Sequence, residues 1–479
     1  DNECIALVGQ GREAVSRQKY KVLQKGTGMT FENQVTESNT AYEIRFAFDL
    51  NNKTIRLPEN CVLIFAGGCL KNGTIVGNNT YLEGSAEYIF DKSLNFGAAD
   101  KFYVKNISFP KGKDISTVAQ RMIDVFNVLE LETGTYYLSS PLILKNYYTR
   151  IVGAGKNTII TTNKKLDYAI RTVFNSEVKN PGKYYNASII DISDLKIDGG
   201  DAKNFKNGIF LEGPSCTVSN CHITGIESVG VKLSMWCNNL INCIITHCDI
   251  GALISEHANA VNVCYNRIEN NTANLVVQGF RGVNICNNTL EGASTFNLAL
   301  GSGISCKIRD NYFEGISNSI TNLLKTTENR SLEFSGKKNI KGCIWIGAID
   351  LIENNHITNV SYRIGNKNSP SSVIVEGNHV DIPSERNLLT AASEVYFVLI
   401  GSCSVYCAVN NNSIVRPQKA VCGFFDTDNA ILENTEILNN FVAHTSKPNN
   451  SLELIHDNYS KVGWRAKQHV IGKLLLDSN

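Results

Sequence analysis

Aliphatic residues recur at both ends of a six-residue pattern that organises the middle of the chain. The pattern is an aliphatic residue, two variable residues, usually Asn or Cys, one variable residue and a second aliphatic residue. Most neighbouring copies begin 22 or 23 residues apart. The copies occupy residues 192–197, 218–223, 240–245, 263–268, 285–290, 308–313, 352–357, 375–380, 409–414 and 437–442.

A second, shorter pattern falls between the copies and begins 10 to 12 residues before the next one. It is a Gly or Asn followed by three mostly apolar residues, and it begins at Gly208, Gly230, Gly251, Asn274 and Asn297. Each repeat therefore contains at least two short strands separated by turns. No helical spacing of apolar residues occurs between them. A period near 22 residues with short strands predicts a solenoid of parallel strands, stacked about 4.8 Å apart.

Asparagine explains how such a coil bends and stacks. The chain has 57 Asn among 479 residues. Asn tolerates left-handed backbone conformations, and its side-chain amide can hydrogen-bond the neighbouring coil. The fourth position of the pattern predicts an inward stack that comprises Asn266, Asn288, Asn311, Asn355, Asn378, Asn412 and Asn440. Cys221 and Cys243 occupy the same column.

Composition excludes several classes of protein. Lys plus Arg is 46 and Asp plus Glu is 45, which gives a net charge of +1. That balance lacks the basic surplus of a nucleic-acid-binding protein. No apolar run approaches the roughly 18 residues of a transmembrane helix. The hydrophobic fraction of 43% excludes a mostly disordered chain.

A helix and two strand motifs precede the repeats. Residues 114–126 place apolar side chains on one helical face, with Asp114 as the predicted N-cap. Residues 131–144 contain Gly-Thr-Tyr, and residues 151–155 contain Gly-Ala-Gly. Together with the repeats, these motifs resemble the right-handed parallel β-helix proteins of the pectin-lyase-like superfamily, which include polysaccharide lyases, glycoside hydrolases and phage tail-spikes.

The resemblance implies an all-β fold: a single-stranded right-handed parallel β-helix with a short N-terminal capping helix and a small N-terminal β-rich module. We expect residues 1–94 to form that module or early coils, 95–445 the β-helix, and 446–479 a tail that packs on the last coil. The resemblance further implies a secreted or cell-surface protein, either monomeric or homotrimeric, whose partner is a polysaccharide or glycan. The catalytic motifs of the family's polygalacturonases and pectate lyases are absent from the sequence.

Three glutamates fall at the same outward position of consecutive repeats. Glu269, Glu291 and Glu314 each follow the last aliphatic residue of the pattern. In a coil with this period, neighbours lie about 5 Å apart, so their like charges imply a raised pKa, a bound cation or a flanking base. Glycosidases need two carboxylates, whereas lyases of this fold need a base and a charge neutraliser, often Ca²⁺. We assign the three glutamates as catalytic candidates, and hydrolase and lyase chemistry both stay open.

Six further residues are candidates for substrate binding. Arg267, Tyr312 and His222 share the outward face of the glutamates. His356 and His379 occupy the same column one repeat apart, with Asp381 nearby. No residue set with zinc-site spacing occurs, so no metal site is predicted, although Ca²⁺ is compatible with the carboxylates.

The 15 cysteines are predicted to be free, buried thiols that act as small apolar residues. The sequence thus predicts a carbohydrate-active protein that binds an extended polysaccharide along one face and cleaves it as a hydrolase or lyase. The alternative is a non-enzymatic glycan-binding or structural rod, such as a tail-spike or surface adhesin module.

Overall fold

The computed structural model describes residues 19–174, 177, 187–255, 257–294, 296–304 and 307–316, together with the backbone of the strands between 343 and 444 given below. From residue 128 onward, the described chain coils into three parallel sheets. Each coil contributes one strand to sheet 1, then one to sheet 2 and one to sheet 3. The predicted parallel β-helix is therefore confirmed.

Sheet 1 comprises the strands Val128–Glu130, Arg150–Val152, Asp191–Ser193, Thr217–Ser219, Asn239–Ile241, Asn262–Cys264, Asn284–Cys286, Lys307–Arg309, Leu351–Glu353, Ser371–Glu376, Ser404–Asn410 and Asn434–Leu438. Sheet 2 comprises Gly134–Tyr137, Thr158–Thr161, Lys196–Asp198, His222–Thr224, Ile244–Thr246, Arg267–Glu269, Thr289–Ala293, Tyr312–Ile316, His356–Thr358, His379–Asp381, Ser413–Arg416 and Phe441–His444. Sheet 3 comprises Leu142–Leu144, Leu166–Thr172, Phe205–Leu211, Ile226–Leu233, Ile250–Ile254, Ala273–Arg281, Phe296–Ile304, Cys343–Ile346, Ser361–Ile364, Val395–Ile400 and Cys422–Thr427.

An internal asparagine stack lies at the turn from sheet 1 to sheet 2. Asn266, Asn288 and Asn311 are each 2% exposed and occupy the predicted column. The Asn288 amide nitrogen donates to Asn311 Oδ1 over 3.0 Å and to the carbonyl of Val263 over 2.8 Å. These bonds satisfy buried polar groups that the corner would otherwise leave unpaired. The predicted stack members Asn355, Asn378, Asn412 and Asn440 lie outside the described residues.

The residue before the stack position makes the bend. Its backbone is left-handed in coil after coil, for example at Asn220, Asn242 and Asn287, with φ of 54°, 53° and 55°. The sequence predicted that asparagine both bends the backbone and hydrogen-bonds the neighbouring coil. In the structure, two adjacent residues have these two roles. At Asn287 and Asn288, the first asparagine adopts positive φ, and the second points inward and hydrogen-bonds to the neighbouring coils. After Asn220 and Asn242, the inward residues are Cys221 and Cys243.

A glycine column holds sheet 3 close to the neighbouring coils. A Cβ atom on Gly208 would lie 2.3 Å from the carbonyl oxygen of Gly230, and one on Gly230 would lie 2.6 Å from that of Gly251. Only a residue without a side chain fits at these positions. In the next two coils, Asn274 and Asn297 occupy the position that glycine has in the earlier coils. The Asn274 amide donates to Asn297 Oδ1 over 2.8 Å.

The N-terminal region is a separate set of parallel strands. A five-stranded sheet comprises Lys19–Val22, Thr40–Ile44, Val62–Phe65, Thr80–Ser85 and Phe102–Ser108. A three-stranded sheet comprises Thr54–Arg56, Gly73–Val76 and Leu94–Gly97, and a two-stranded sheet comprises Phe48–Asp49 and Leu70–Lys71. Short helices occur at Phe31–Gln34, Ala86–Ile89 and Ala99–Lys101. The predicted boundary at residues 94 and 95 stays a prediction, and the predicted tail at 446–479 lies outside the described residues.

The capping helix Ser116–Phe126 joins the two parts of the chain. Its Phe126 ring contacts Phe96 and Phe102 of the N-terminal sheets, at centroid distances of 5.3 and 6.1 Å. The N-cap position is Ile115 rather than the predicted Asp114. Even so, the Asp114 carboxylate accepts a hydrogen bond from the Ser116 backbone nitrogen over 2.9 Å, which satisfies one of the unpaired amides of the first turn. Within the described residues, no helix is long and apolar enough to cross a membrane.

Candidate functional site

Two columns of residues run along sheet 2, in the register that the repeat predicts. The first column passes through consecutive Cα partners, namely Lys196, His222, Ile244, Arg267, Thr289, Tyr312, His356 and His379. The second column likewise passes through Asp198, Thr224, Thr246, Glu269, Glu291 and Glu314. The three glutamates therefore stand on three consecutive strands, about 4.8 Å apart from one strand to the next.

The outer two glutamates each have a partner on their own strand. Arg267 Nε lies 2.7 Å from Glu269 Oε2. The Tyr312 hydroxyl donates to Glu314 Oε2 over 2.6 Å. Because both partners stand two residues before their glutamate, strand alternation places them on the same outer face.

The central glutamate differs from its neighbours. In the part of the chain that the structure describes, no side chain donates a hydrogen bond to the carboxyl group of Glu291, whereas the Asn274 amide donates to its backbone carbonyl over 2.9 Å. Its partial burial raises the pKa of its carboxyl, and the charges of Glu314 and Glu269 raise it further, against a smaller opposing effect of Arg267. The row thus combines a carboxyl that retains its proton more readily than usual with two carboxylates that are already held by donors.

The three carboxylates differ in accessibility. Glu269 is 8% exposed, whereas Glu291 and Glu314 are only partly buried. A ligand that lies along the outer face therefore reaches Glu291 and Glu314 more directly than Glu269. The guanidinium of Arg267 is exposed above Glu269 and presents its remaining N–H donors to the same face.

His222 is two strands away from Arg267, because the exposed Ile244 stands between them in the column. It lies instead beside the pair of Lys196 Nζ and Asp198 Oδ2, which are 2.6 Å apart. Burial lowers the pKa of His222, and the Lys196 charge lowers it further. The sequence grouped His222 with the glutamates, but the structure places it at a separate position further along the same face.

The candidates His356, His379 and Asp381 fall on strands that continue sheet 2 past Tyr312. His356 is the Cα partner of Tyr312 and of His379, and Asp381 is the Cα partner of Thr358. These three residues therefore continue the two columns. Their side chains lie outside the described part of the structure.

The described residues contain no group of three or more His, Cys, Asp or Glu side chains arranged to hold a metal ion. A guanidinium already neutralises Glu269. The row as it stands does not fit a Ca²⁺ site.

Two side-chain contacts, one in the site on sheet 2 and one on sheet 1, have a further signal in the sequence. Arg267–Ile–Glu269 and Tyr312–Phe–Glu314 are donor–apolar–glutamate triplets, whose spacing alone predicts the pairing on one strand face. The second contact is that of Cys264 and Cys286, which occupy matching positions of consecutive repeats. The sequence reasoning considered a cysteine column only for Cys221 and Cys243.

Comparisons with known proteins reveal the fold. No family model matches the chain. No curated protein matches it either. A DFA-IIIase from Arthrobacter chlorophenolicus A6, solved in complex with GF2, aligns at 10% identity over 75% of this chain and 96% of its own, with a TM-score of 0.51. A second structure of that protein aligns at 10% identity over 75% and 97%, with a TM-score of 0.50.

The A-module of the mannuronan C-5 epimerase AlgE4 from Azotobacter vinelandii aligns at 15% identity over 73% of this chain and 95% of its own, with a TM-score of 0.45. At these identities, the matches describe the fold alone. Together with the sheet topology, the two DFA-IIIase structures support a parallel β-helix fold for this chain.

Proposed function

We propose that this parallel β-helix protein binds an extended polysaccharide along the outer face of sheet 2 and hydrolyses it with the carboxyl groups of Glu291 and Glu314. The observation that carries the proposal is the row of three glutamates in register, whose central member has a raised pKa. Glycoside hydrolysis commonly uses two carboxyl groups, and their different environments give them different pKa values.

A polymer suits this face because consecutive coils present equivalent positions at a constant spacing. Arg267 and Tyr312 flank the carboxylates and offer a guanidinium and an aromatic ring to sugar hydroxyls and ring faces. His222 stands toward one end of the columns, and His356, His379 and Asp381 stand on strands toward the other. We assign all of these residues to binding of the polymer on either side of the cleaved bond.

Glu291 is the proton donor in this proposal, because its raised pKa leaves more of it protonated near neutral pH. As the bond between the anomeric carbon and the glycosidic oxygen breaks, the Glu291 proton passes to the leaving oxygen. Glu314 gives an electron pair to the anomeric carbon and forms an ester. Water then attacks that carbon, Glu291 accepts a proton from the water, and the ester bond to Glu314 breaks.

Glu314 is assigned as the nucleophile because it is more accessible than Glu269 and because the Tyr312 hydroxyl fixes its direction. Glu269 and Arg267 act on Glu291 through charge and are positioning residues. Neighbouring strands are about 4.8 Å apart, close to the roughly 5 Å between the carboxyl groups of retaining glycosidases. The proposal therefore includes retention of the anomeric configuration. It also includes an extracytoplasmic location, where such polymers are found.

The test is a panel of neutral and acidic polysaccharides incubated with the full chain, with release of reducing ends as the readout. We expect turnover of at least one polymer and a loss of about 10²- to 10⁴-fold in kcat for Glu291→Gln, the usual contribution of a general acid. Glu227→Gln is the matched control, because Glu227 is exposed on a strand of sheet 3 and makes the same change away from the row. Its kcat should equal that of the wild type.

The other outcomes discriminate between the alternatives. An unsaturated product would replace the hydrolase assignment with a lyase. Binding of a polymer that is never cleaved would support the non-enzymatic glycan-binding rod. Equal losses in Glu291→Gln and Glu227→Gln would remove the row from the mechanism.

A further inference from the structure

Two cysteines on the outer face of sheet 1 lie directly above one another. Cys264 ends the strand Asn262–Cys264, Cys286 ends the strand Asn284–Cys286, and the two are Cα partners in the register. Their Sγ atoms are 2.6 Å apart. The residues are 6% and 5% exposed, and both are free thiols in this structure.

The positions of the two residues suit a covalent bond. Neighbouring strands are about 4.8 Å apart, which falls inside the range of roughly 4.4–6.8 Å between the Cα atoms of disulfide-bonded cysteines. A disulfide bond is about 2.05 Å long, so the sulfur atoms need to approach by only about half an ångström. We propose that Cys264 and Cys286 form a disulfide bond that joins two consecutive coils when the protein is in an oxidising environment.

The other stacked pair of thiols has different partners. The thiol of Cys221 donates to the carbonyl of Ser219 over 3.2 Å, and the thiol of Cys243 donates to that of Ile241 over 3.4 Å. Each of these two thiols also lies 3.6 Å from a carbonyl of the preceding coil, that of Ile192 or that of Val218, in addition to its contact with the other thiol. At the outer pair, the described contacts are the second sulfur atom and Asn284, whose amide nitrogen lies 3.5 Å from Cys286 Sγ.

The oxidant is a small-molecule disulfide. One cysteine, as thiolate, attacks a sulfur of that molecule and releases one small thiolate. The second cysteine then attacks the mixed disulfide, forms the bond between Cys264 and Cys286, and releases the second small thiol. The protein loses two electrons and two protons, and the small-molecule disulfide gains both.

The pair has the character of a structural bond. Burial raises the pKa of Cys264, and the adjacent Cys286 raises it further. A thiol with a raised pKa is a poor leaving group, which slows the exchange reactions that would open the bond. The bond also lies five residues before Glu269 on one coil and five residues before Glu291 on the next. If the proposed function holds, it secures the spacing of two carboxylates, although the bond itself does not depend on that function.

The experiment treats the purified full chain with oxidised glutathione, alkylates it under denaturing conditions and digests it with a glutamate-specific protease without reductant. Cleavage after glutamate yields peptides 257–269 and 270–291, each with a single cysteine. We expect these two peptides to be found joined, with a mass about 2 Da below their sum. The midpoint of thermal unfolding should rise by about 3 °C on oxidation.

Three variants complete the test. Cys264→Ser and Cys286→Ala should lose both the joined peptide and the rise in the melting midpoint. Cys237→Ser is the control, because Cys237 is an exposed free thiol, and it should retain both. Two results on the folded wild type would overturn the proposal: a link between Cys221 and Cys243 instead, or no joined peptide after prolonged oxidation at pH above neutral. Since no polysaccharide is used, neither result bears on the proposed hydrolysis.

Discussion

Asn266 and Asn288, which are 22 residues apart in the chain, form a double hydrogen bond from one coil to the next. The backbone nitrogen and the amide nitrogen of Asn266 both donate to Asn288 Oδ1, over 2.9 and 3.0 Å. Asn288 repeats the arrangement toward Asn311, over 3.0 Å for both bonds. A side-chain amide thus replaces the main-chain pairing that is lost where the chain turns the corner between two sheets.

Asn288→Ala should therefore destabilise the protein far more than a surface substitution. The change leaves the buried backbone nitrogen of Asn266 without its acceptor. It also removes one of the two acceptors of the Asn266 amide nitrogen, which keeps the carbonyl of Leu240, and the amide donor to the carbonyl of Val263. Because each unsatisfied buried group costs about 1–3 kcal/mol, we expect the free energy of unfolding to fall by ~3 kcal/mol. Urea unfolding followed by circular dichroism measures it.

The control is the adjacent residue. Asn287 is exposed with φ of 55°, so Asn287→Gly keeps the bend and removes no buried hydrogen bond. Its free energy of unfolding should stay within about 0.5 kcal/mol of the wild type. Similar losses for both variants would show that the turn, and not the stack, stabilises the corner.

Gly230→Ala tests the close approach of coils in sheet 3. The added methyl group would lie 2.6 Å from the carbonyl oxygen of Gly251 and 3.0 Å from Ile245 Cγ2. The backbone at Gly251 cannot move away without breaking main-chain hydrogen bonds between neighbouring strands. We therefore expect the free energy of unfolding to fall by about 3 kcal/mol, at the upper end of the range for overpacking. Gly26→Ala is the control, since its methyl group would meet only Met29 Cγ at 3.5 Å. Thermal unfolding of the two variants provides the comparison, and equal midpoints would contradict the steric argument.

The coil, its period and its register were predictable because a repeated sequence pattern fixes them together. Once the last aliphatic position of each copy faces inward, strand alternation makes the residue directly before it and the residue directly after it face outward. That is why the alignment of Glu269, Glu291 and Glu314 followed from the sequence alone. The different roles of Asn287 and Asn288 did not follow from it, because both residues are asparagine and both positions suit a turn.

The alternation of apolar and polar residues did not predict which side chains on the outer faces of the sheets are buried. Phe210, Leu253, Val276 and Ala299 belong to an apolar cluster separate from the interior one, and all are at most 5% exposed. Their strands are apolar on both faces, so a period of two gives no signal. The contact between Cys264 and Cys286 was missed for a related reason, since the small apolar character of cysteine predicted only that each is buried.

Arg267 and Glu269 should be energetically coupled in a measurable way. Glu269 is 8% exposed and its carboxylate is 2.7 Å from the guanidinium, whose side chain is 60% exposed. Solvent screens the exposed partner, so we expect a coupling energy of about 1 kcal/mol rather than the larger value of a fully buried pair. A double-mutant cycle of Arg267→Met and Glu269→Gln, followed by urea unfolding, measures this coupling energy. Additive single effects would indicate that the ion pair does not stabilise the fold.

The raised pKa of Glu291 predicts how the stability of the protein depends on pH. A carboxyl whose pKa is higher in the folded than in the unfolded chain, where it is near 4.5, binds more protons when folded. The contribution of this carboxyl to the stability of the folded protein is fully present below pH 4.5 and is lost as the pH rises through the folded-state pKa. Over that window the wild type should lose stability relative to Glu291→Gln, which keeps the shape of the side chain and has no charge.

Thermal unfolding of the wild type, Glu291→Gln and the control Glu227→Gln between pH 4 and pH 8 measures this difference. The wild type and Glu227→Gln should share one pH profile. Glu291→Gln should be relatively more stable at neutral pH, because it removes one of three adjacent negative charges from the row. If Glu291→Gln instead loses stability in parallel with the wild type as the pH rises, the neighbouring glutamates do not raise the pKa of Glu291. The assignment of Glu291 as proton donor would then lose its physical basis.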